Sequence, residues 1–225
     1  MGCAGSVQSH QAAAEREICL AGIQNRTCRK KAVQDIAKVT CICFEARTLM
    51  VPKTTAPSKD ELGEAVSNAA ETVKGFRDMG LKVLLIGGLL DVEVAHGFAK
   101  GVGIASSDGL AFDGSKIDDA IAKVIDGTVI SRVTPSQQRD LVNALQGKNE
   151  VVMFVGCSPN NVSAMQAANF NVLCSPVVVD ETEAEAWKQA QEEVDFMIPD
   201  NDTGKLLSAV RAVKQIMPND EEGPK

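Results

Sequence analysis

The sequence predicts an α/β fold in which a mostly parallel, Rossmann-like sheet is covered by helices on both faces. Segments with the pattern of buried strands alternate with segments of helical periodicity, in the order strand, helix, strand, helix. The three main strands are nearly continuous apolar runs at 39–44, 82–86 and 151–155. Such runs indicate strands that are buried on both sides, as the strands of parallel sheets are.

Local signals define the elements of the first half of the chain. The first strand is followed by a loop over 52–58 that prolines bracket. A helix is predicted over 60–79, with Ser58 as its N-cap, Glu61 completing a capping box and Gly80 ending it. The second strand ends at two glycines, and the next predicted helix occupies 91–100.

The second half of the chain continues the alternation. One helix opens at Thr134, with Pro135 at its first helical position, and runs to Gln146. The remaining predicted elements are helices at 115–125, 160–168, 183–192 and 203–217 and short strands at 129–131, 171–173 and 177–179.

Length and composition indicate one globular domain with tails. We predict a flexible segment over 1–24, a domain over 25–217 and a disordered tail over 218–225. The net charge of −7 argues against a nucleic-acid partner. The seven cysteines form no C-x-x-C pair and follow no secretory signal, which favours buried, reduced thiols in the cytoplasm. No apolar run approaches the roughly 20 residues that span a bilayer.

The amino terminus, Met-Gly-Cys-Ala-Gly-Ser, fits the pattern for N-myristoylation. Gly2 would carry the myristoyl group, and Cys3 beside it could be palmitoylated. Because one myristoyl chain binds membranes only marginally, the second acyl group would make the anchor durable. The sequence therefore predicts a lipid anchor at the cytoplasmic face of a membrane. The alternative is that small residues follow the initiator by chance and the protein is cytoplasmic.

Function is expected at the carboxyl ends of the three main strands, because ligands bind there in open α/β sheets. These ends are Glu45, the pair Gly87 and Gly88, and the turn at Gly156 and Cys157. An enzyme of phosphoryl chemistry would hold metal-binding carboxylates in the last of these turns. This chain has none there.

The segments around these ends resemble the P-type cation-transporting ATPases, in particular the sodium/potassium-pump branch, over most of 25–215. Residues 32–43 resemble the stretch that leads to the phosphorylation motif D-K-T-G-T, and residues 76–83 the stretch before T-G-D. Residues 99–104 resemble the helix end after that motif. Residues 129–138 resemble A-R-x-S-P-x-Q-K, and residues 151–174 resemble the T-G-D-G-V-N-D hinge.

The resemblance implies the phosphorylation domain of such a pump, which has a haloacid-dehalogenase-like fold. In the family a nucleotide-binding domain is inserted just after the phosphorylation motif, whereas here only residues 50–59 occupy that place. The family uses ATP and magnesium. An intact P-type ATPase is the partner that such a domain could engage.

This chain departs from the family at the positions that handle phosphate. Glu45 stands for the phosphorylated Asp, and Gln138 for a Lys. The other substitutions are Ala46 and Arg47 after the phosphorylated position, Gly87 and Leu89 in T-G-D, and Cys157 and Asn161 for the two Asp of the hinge. Magnesium prefers hard oxygen ligands, and phosphoryl transfer depends on positioning and neutralised charge. We therefore predict no catalytic residue, metal site or cofactor.

The leading interpretation is a catalytically inactive, pump-derived domain that binds or regulates other proteins at a membrane. An alternative interpretation keeps an enzyme, a residual phosphohydrolase with Glu45 as nucleophile or base, Cys157 as a second reactive group and Arg139 as an anion clamp. A third interpretation is a phosphate-binding site without chemistry. Its backbone N–H groups would come from Gly87–Gly88 and from the helix start near Asn160.

Overall fold

The computed structural model describes residues 12–14, 16, 24–25, 35–51, 63–175, 185, 188, 190–191, 194–199 and 201–217. Within these residues the strands form one eight-stranded sheet in the order β1-β8-β7-β6-β2-β3-β5-β4. Seven strands are parallel, and only β1 at the edge runs antiparallel to its neighbour. The strands are β1 (Gln24–Asn25), β2 (Cys41–Glu45), β3 (Lys82–Ile86), β4 (Ala111–Asp113), β5 (Val129–Ser131), β6 (Val152–Gly156), β7 (Phe170–Ser175) and β8 (Phe196–Pro199).

Six α-helices with defined bounds accompany the sheet, and a single helical turn at 35–38 precedes β2. Further helical residues are described at 12–14, 16, 185, 188 and 190–191. The helices are α1 (Ala69–Asp78), α2 (Val92–Gly101), α3 (Ile117–Lys123), α4 (Pro135–Gly147), α5 (Val162–Ala167) and α6 (Thr203–Ile216). Short 3-10 turns follow three of the strands, at Ala46–Leu49, Gly114–Lys116 and Pro159–Asn161. None of the helices in the described ranges is long and apolar enough to cross a bilayer.

The sheet is buried on both faces, as the sequence predicts. On β2 the side chains of Ile42 and Phe44 pack into one apolar core and those of Cys41 and Cys43 into the other. Helices α1, α2 and α6 cover the first face, and helices α3, α4 and α5 cover the second. This division follows from the alternation of side chains along a strand. The two cysteines are free, buried thiols.

The long C-terminal helix α6 is tied to the start of the central strand. The Lys214 amine donates hydrogen bonds to the carbonyl oxygens of Ala37 at 2.8 Å and Val39 at 2.9 Å. These carbonyls end the helical turn at 35–38, where unpaired backbone acceptors remain. Burial lowers the pKa of Lys214.

The start of the first predicted helix is wrong. Helix α1 begins at Ala69, and residues 63–68 form a turn and an extended segment instead. There the backbone N–H of Val51 donates to Glu64 O, and that of Val66 donates to Leu49 O. These cross-chain bonds compete with the helical bonds that a start at residue 60 requires. The predicted caps Ser58 and Glu61 lie outside the described residues.

The sequence also misses three strands. Strands β4 and β8 have three and four residues, too few to show a periodic pattern, and β1 has two. Strand β7 is longer than predicted. Within the predicted helix at 183–192 the structure describes four residues, and all four are helical. The amino-terminal motif with Gly2 and Cys3, the strand predicted at 177–179 and the tail from 218 lie outside the described residues.

The order of the strands fixes where a ligand site can form. From β2 the chain proceeds to β3, β4 and β5 on one side, and then crosses to β6, β7 and β8 on the other. The order therefore reverses between β2 and β6, which are hydrogen-bonded neighbours. Beyond the carboxyl ends of the strands at such a switch point lies the crevice that α/β proteins use for ligands. Here Glu45 ends β2, and Cys157 follows β6.

Candidate functional site

The centre of the candidate site is the side chain of Glu45, which is only 1% exposed. One carboxylate oxygen, Oε1, accepts a hydrogen bond from Arg47 Nε at 3.1 Å. The other, Oε2, accepts from the backbone N–H of Arg47 at 3.2 Å and from the Cys157 thiol at 2.8 Å. Both oxygens of Glu45 are therefore held by partners within the chain.

The local backbone explains why Arg47 meets Glu45. Glu45 is the N-cap of the 3-10 turn Ala46–Leu49, so its carboxylate satisfies an N–H group that the turn leaves unpaired. The Thr48 hydroxyl donates to the backbone carbonyl of Glu45 at 2.7 Å. From the opposite end of the chain, Asn201 Nδ2 donates to Arg47 O at 3.0 Å and to Met50 O at 3.3 Å. The turn is thus fixed by contacts that do not involve the carboxylate.

The thiol of Cys157 behaves as a hydrogen-bond donor. Burial raises its pKa well above the usual range, and the nearby charge of Glu45 raises it further against the opposing effect of Arg47. Burial and the charge of Glu45 also raise the pKa of Cys174 on β7. Since the thiolate is the nucleophilic form of cysteine, this environment suppresses reactivity at Cys157.

Behind Cys157 lies a buried pair of amides. Asn161 accepts a hydrogen bond from the backbone N–H of Cys157 at 3.2 Å through its Oδ1. Its Nδ2 donates to Gln138 Oε1 on α4 at 3.0 Å. Asn161 is 2% exposed and Gln138 is 4% exposed. Gly156 permits this approach, because a Cβ there would stand 2.9 Å from the Cβ of Asn161.

The two glycines after β3 are closely packed, and the second of them lies beside Glu45. A Cβ on Gly87 would clash with Ser131 Oγ and stand 3.0 Å from the Cβ of Ala95. Gly88 has a φ of +57°, and a Cβ there would stand 3.0 Å from Glu45 Oε1. Both positions therefore need glycine for close packing, and Gly88 also needs it for its backbone conformation.

Comparison with known proteins agrees with the fold and the resemblance. No family model matches the chain. The "Cation-transporting ATPase pma1" of Synechocystis sp. is 28% identical over 157 residues, which cover 67% of this chain and 16% of that protein. "Calcium-transporting ATPase 1" of Schizosaccharomyces pombe is 27% identical over 164 residues, which cover 66% of this chain and 17% of that protein. The chain is homologous to part of the P-type cation-transporting ATPases.

A solved structure supports the same fold. The crystal structure of a zinc-transporting PIB-type ATPase superposes on 94% of this chain with a TM-score of 0.62 and 12% identity, and 46% of that protein is covered. The α/β, haloacid-dehalogenase-like fold is therefore confirmed. The chain spans about a sixth of the length of the curated P-type relatives. The assignment to the sodium/potassium-pump branch stays a prediction.

The structure brings together most of the positions at which this chain departs from the P-type ATPase motifs. Glu45, Cys157, Asn161 and Gln138 form one continuous chain of hydrogen bonds, and Gly88 lies beside it. Leu89, in contrast, is 71% exposed and takes no part in these hydrogen bonds.

Arg139 is not placed as an anion clamp. Its guanidinium is half exposed and pairs with Asp140 at 3.6 Å. The arginine at the site is Arg47, which sequence reasoning treated only as a departure from the motif. An N-cap carboxylate commonly accepts from the backbone N–H two residues later, but this rule marks only the N–H of residue 47 and gives no signal for its guanidinium. Asn201 lies 154 residues from Arg47, and no local signal marks it.

Two N–H groups of the predicted backbone cradle for an anion are engaged within the protein. The N–H of Gly87 donates to Ile130 O at 2.7 Å, and the N–H of Asn160 donates to Ser158 Oγ at 3.2 Å. Both groups are therefore satisfied within the protein.

The residues at the site do not fit magnesium. Mg²⁺ requires several hard oxygen ligands in octahedral geometry. The carboxylate of Glu45 is bound by Arg47 and Cys157, and Asn161 Oδ1 faces a backbone N–H. In the part of the chain that the structure describes, no three His, Cys, Asp or Glu side chains are grouped to hold a metal ion.

Proposed function

We propose that this chain is a non-catalytic derivative of the P-type ATPase phosphorylation domain, acting as a membrane-tethered binding or regulatory protein of an intact cation pump. The observation that carries the loss of catalysis is the state of Glu45, whose two carboxylate oxygens are buried and held by Arg47 and Cys157. A carboxylate nucleophile needs an oxygen that is free and in line with the phosphorus atom.

The charges around Glu45 support the same proposal. At the homologous positions of the resemblance, Asn161 and Gln138 replace an acid and a lysine. They are neutral amides that bind each other. The transferring phosphoryl group would therefore lack both the metal ligand and the cation that spread its charge. In enzymes, loss of one group that stabilises developing charge typically costs about 10²–10³ in rate.

The regulatory part of the proposal rests on what the chain retains. The fold superposes on that of a zinc-transporting PIB-type ATPase over 94% of the chain. A domain with the shape of a pump's phosphorylation domain can compete for the surfaces that this domain contacts in the pump. The acylation motif at Gly2 and Cys3 would concentrate it at the membrane where such pumps reside.

A residual phosphohydrolase is the less favourable candidate. It would need a reactive thiol at Cys157 and an anion clamp near Glu45. The pKa of Cys157 is instead raised by burial and by Glu45, and Arg139 pairs with Asp140.

Incubation with labelled ATP or acetyl phosphate, with and without magnesium, tests the loss of catalysis. We expect no covalent phosphate on the wild type and no hydrolysis of a chromogenic phosphate ester. The matched control is Glu45→Gln, which keeps the shape of the side chain and removes its nucleophilic oxygen. Hydroxylamine-labile phosphate that appears on the wild type and is absent from Glu45→Gln would overturn the proposal.

Metabolic labelling with a myristate analogue, followed by pull-down from membranes, tests the regulatory role. We expect labelled protein in the membrane fraction together with a cation pump. The matched control is Gly2→Ala, which should lose the label and shift the protein to the soluble fraction. If Gly2→Ala stays on membranes, the lipid anchor is wrong. If no pump is captured by the acylated protein, the proposed partner is wrong.

A further inference from the structure

Three hydrogen-bond donors converge on the buried carboxylate of Glu45 at the switch point of the sheet. They are the backbone N–H of Arg47, its guanidinium and the Cys157 thiol, at 2.8–3.2 Å from the oxygens of Glu45. A backbone N–H and a guanidinium that face the same carboxylate form the kind of donor set that binds carboxylates, phosphates and sulfates.

We propose that this donor set is an oxyanion-binding site and that the carboxylate of Glu45 is its tethered occupant. The side chain fills the site permanently, so free phosphate and the phosphates of nucleotides are excluded. The inference rests on the proposed function, since a Glu45 that accepts phosphate could not be a permanent occupant.

The donors should keep their positions when the carboxylate is removed. Thr48 Oγ1 donates to the backbone carbonyl of Glu45, which every substitution at this position retains. Asn201 holds the carbonyls of Arg47 and Met50 from the other side. These bonds fix the turn independently of the Glu45 side chain. The volume that the carboxylate would leave borders Gly88, where a Cβ would stand 3.0 Å from Glu45 Oε1.

The chain contains a matched pair of similar geometry in a different environment. The Asp113 carboxylate accepts from the backbone N–H of Ser115 at 2.9 Å and from Arg132 Nε at 2.5 Å. Its side chain is 23% exposed, against 2% for that of Glu45. The side chains of Arg47 and Arg132 are 43% and 54% exposed, so the two sites differ mainly at the carboxylate position. Because water screens charge at the more open position, removal of Asp113 should leave a weaker anion site than removal of Glu45.

Titration with inorganic phosphate, followed by calorimetry and by thermal unfolding, tests the inference. Chloride at matched ionic strength corrects for general salt effects. We expect Glu45→Ala to bind phosphate at least tenfold more tightly than the wild type. The double variant Glu45→Ala/Arg47→Ala should lose this gain, and Asp113→Ala should bind no better than the wild type. Acetate in place of phosphate shows whether the site accepts a planar carboxylate.

Two results would overturn the inference. One is phosphate binding to the wild type with the same affinity as to Glu45→Ala. The other is a folded Glu45→Ala that does not bind phosphate. If Glu45→Ala does not fold, Glu45→Ser replaces it, because its short side chain also leaves the carboxylate position empty, and the same tenfold gain over the wild type is required. Covalent phosphate on the wild type would refute the proposed function, whereas reversible phosphate binding to the wild type would refute this inference alone.

Discussion

The amide pair between Asn161 and Gln138 offers the sharpest test of how the site changed. We predict that Asn161→Asp and Gln138→Lys are each destabilising alone and partly compensate each other together. Asn161→Asp places a carboxylate opposite Gln138 Oε1, which now accepts the hydrogen bond. Gln138→Lys places an ammonium opposite the Nδ2 donor of Asn161. Each single change therefore buries a charge that faces the wrong partner.

The expected energies follow from the burial of the two side chains, which are 2% and 4% exposed. A buried charge without its partner costs about 3–5 kcal/mol, and an unsatisfied buried polar group about 1–3 kcal/mol. Since the Gln138 amide can rotate to donate, Asn161→Asp should cost about 1–3 kcal/mol, and Gln138→Lys about 3 kcal/mol or more. In the double variant the two charges face each other. It should therefore cost about 1–3 kcal/mol less than the sum of the single changes.

Urea unfolding followed by circular dichroism gives the four free energies of unfolding for this cycle. The control replaces Gln138→Lys by Gln215→Lys, because Gln215 is exposed on α6 at the other face of the sheet. We expect Gln215→Lys to add to Asn161→Asp within about 0.5 kcal/mol, as distant sites do. The same additivity between Gln138→Lys and Asn161→Asp would refute the direct contact between these two side chains.

Three further predictions concern packing and pH. Gly87→Ala should lower the free energy of unfolding in urea by about 1–3 kcal/mol, because the added Cβ meets the side chains of Ser131 and Ala95. The control is Gly97→Ala in α2, where a Cβ has nothing within 4 Å, and it should raise the free energy of unfolding by up to about 1 kcal/mol. Hydrogen bonds from the backbone two residues later and from Arg132 lower the pKa of Asp113 to about 2. Its stabilisation should therefore be complete above its unfolded pKa of about 4 and be lost as the pH falls towards 2. Acid unfolding of Asp113→Asn should lack this component. Burial lowers the pKa of Lys214, so stability should rise as the pH approaches the unfolded value of about 10.4, and Lys214→Met should remove that slope.

Much of the sheet was predictable because its central strands carry the strongest signals. Strands β2, β3 and β6 have five residues each, nearly all of them apolar, and the structure places them close to the predicted ranges. Strands β4 and β8 could not be found in this way, since three or four residues show no period and are defined by pairing with neighbours. The start of α1 was missed for a related reason, because the bonds of 64–66 go to 49–51.

The members of the site were predictable, but their contacts were not. The alignment of motifs pointed to Glu45, Gln138, Cys157 and Asn161, and all four meet at the switch point. The sequence could not show that the Glu45 carboxylate turns back onto the next turn and binds Arg47, because this depends on the cap geometry. One alternative interpretation made Cys157 a second reactive group, whereas the structure packs this residue against an apolar core and places a carboxylate beside its thiol.

The substitutions at the site are matched to one another, and this bears on why the scaffold persists. A buried acid without its lysine, or a lysine without its acid, would cost several kcal/mol, a large part of the stability of a domain. Here Gln138 and Asn161 are neutral together, and Glu45 has Arg47 as a local cation. A site that lost turnover through unmatched changes would carry unpaired buried charges, and Glu45, Gln138 and Asn161 each have a hydrogen-bond partner. These matched contacts preserve the stability of the scaffold and, with it, the surface that the scaffold presents. A stable surface is the property that the proposed binding role at a pump requires.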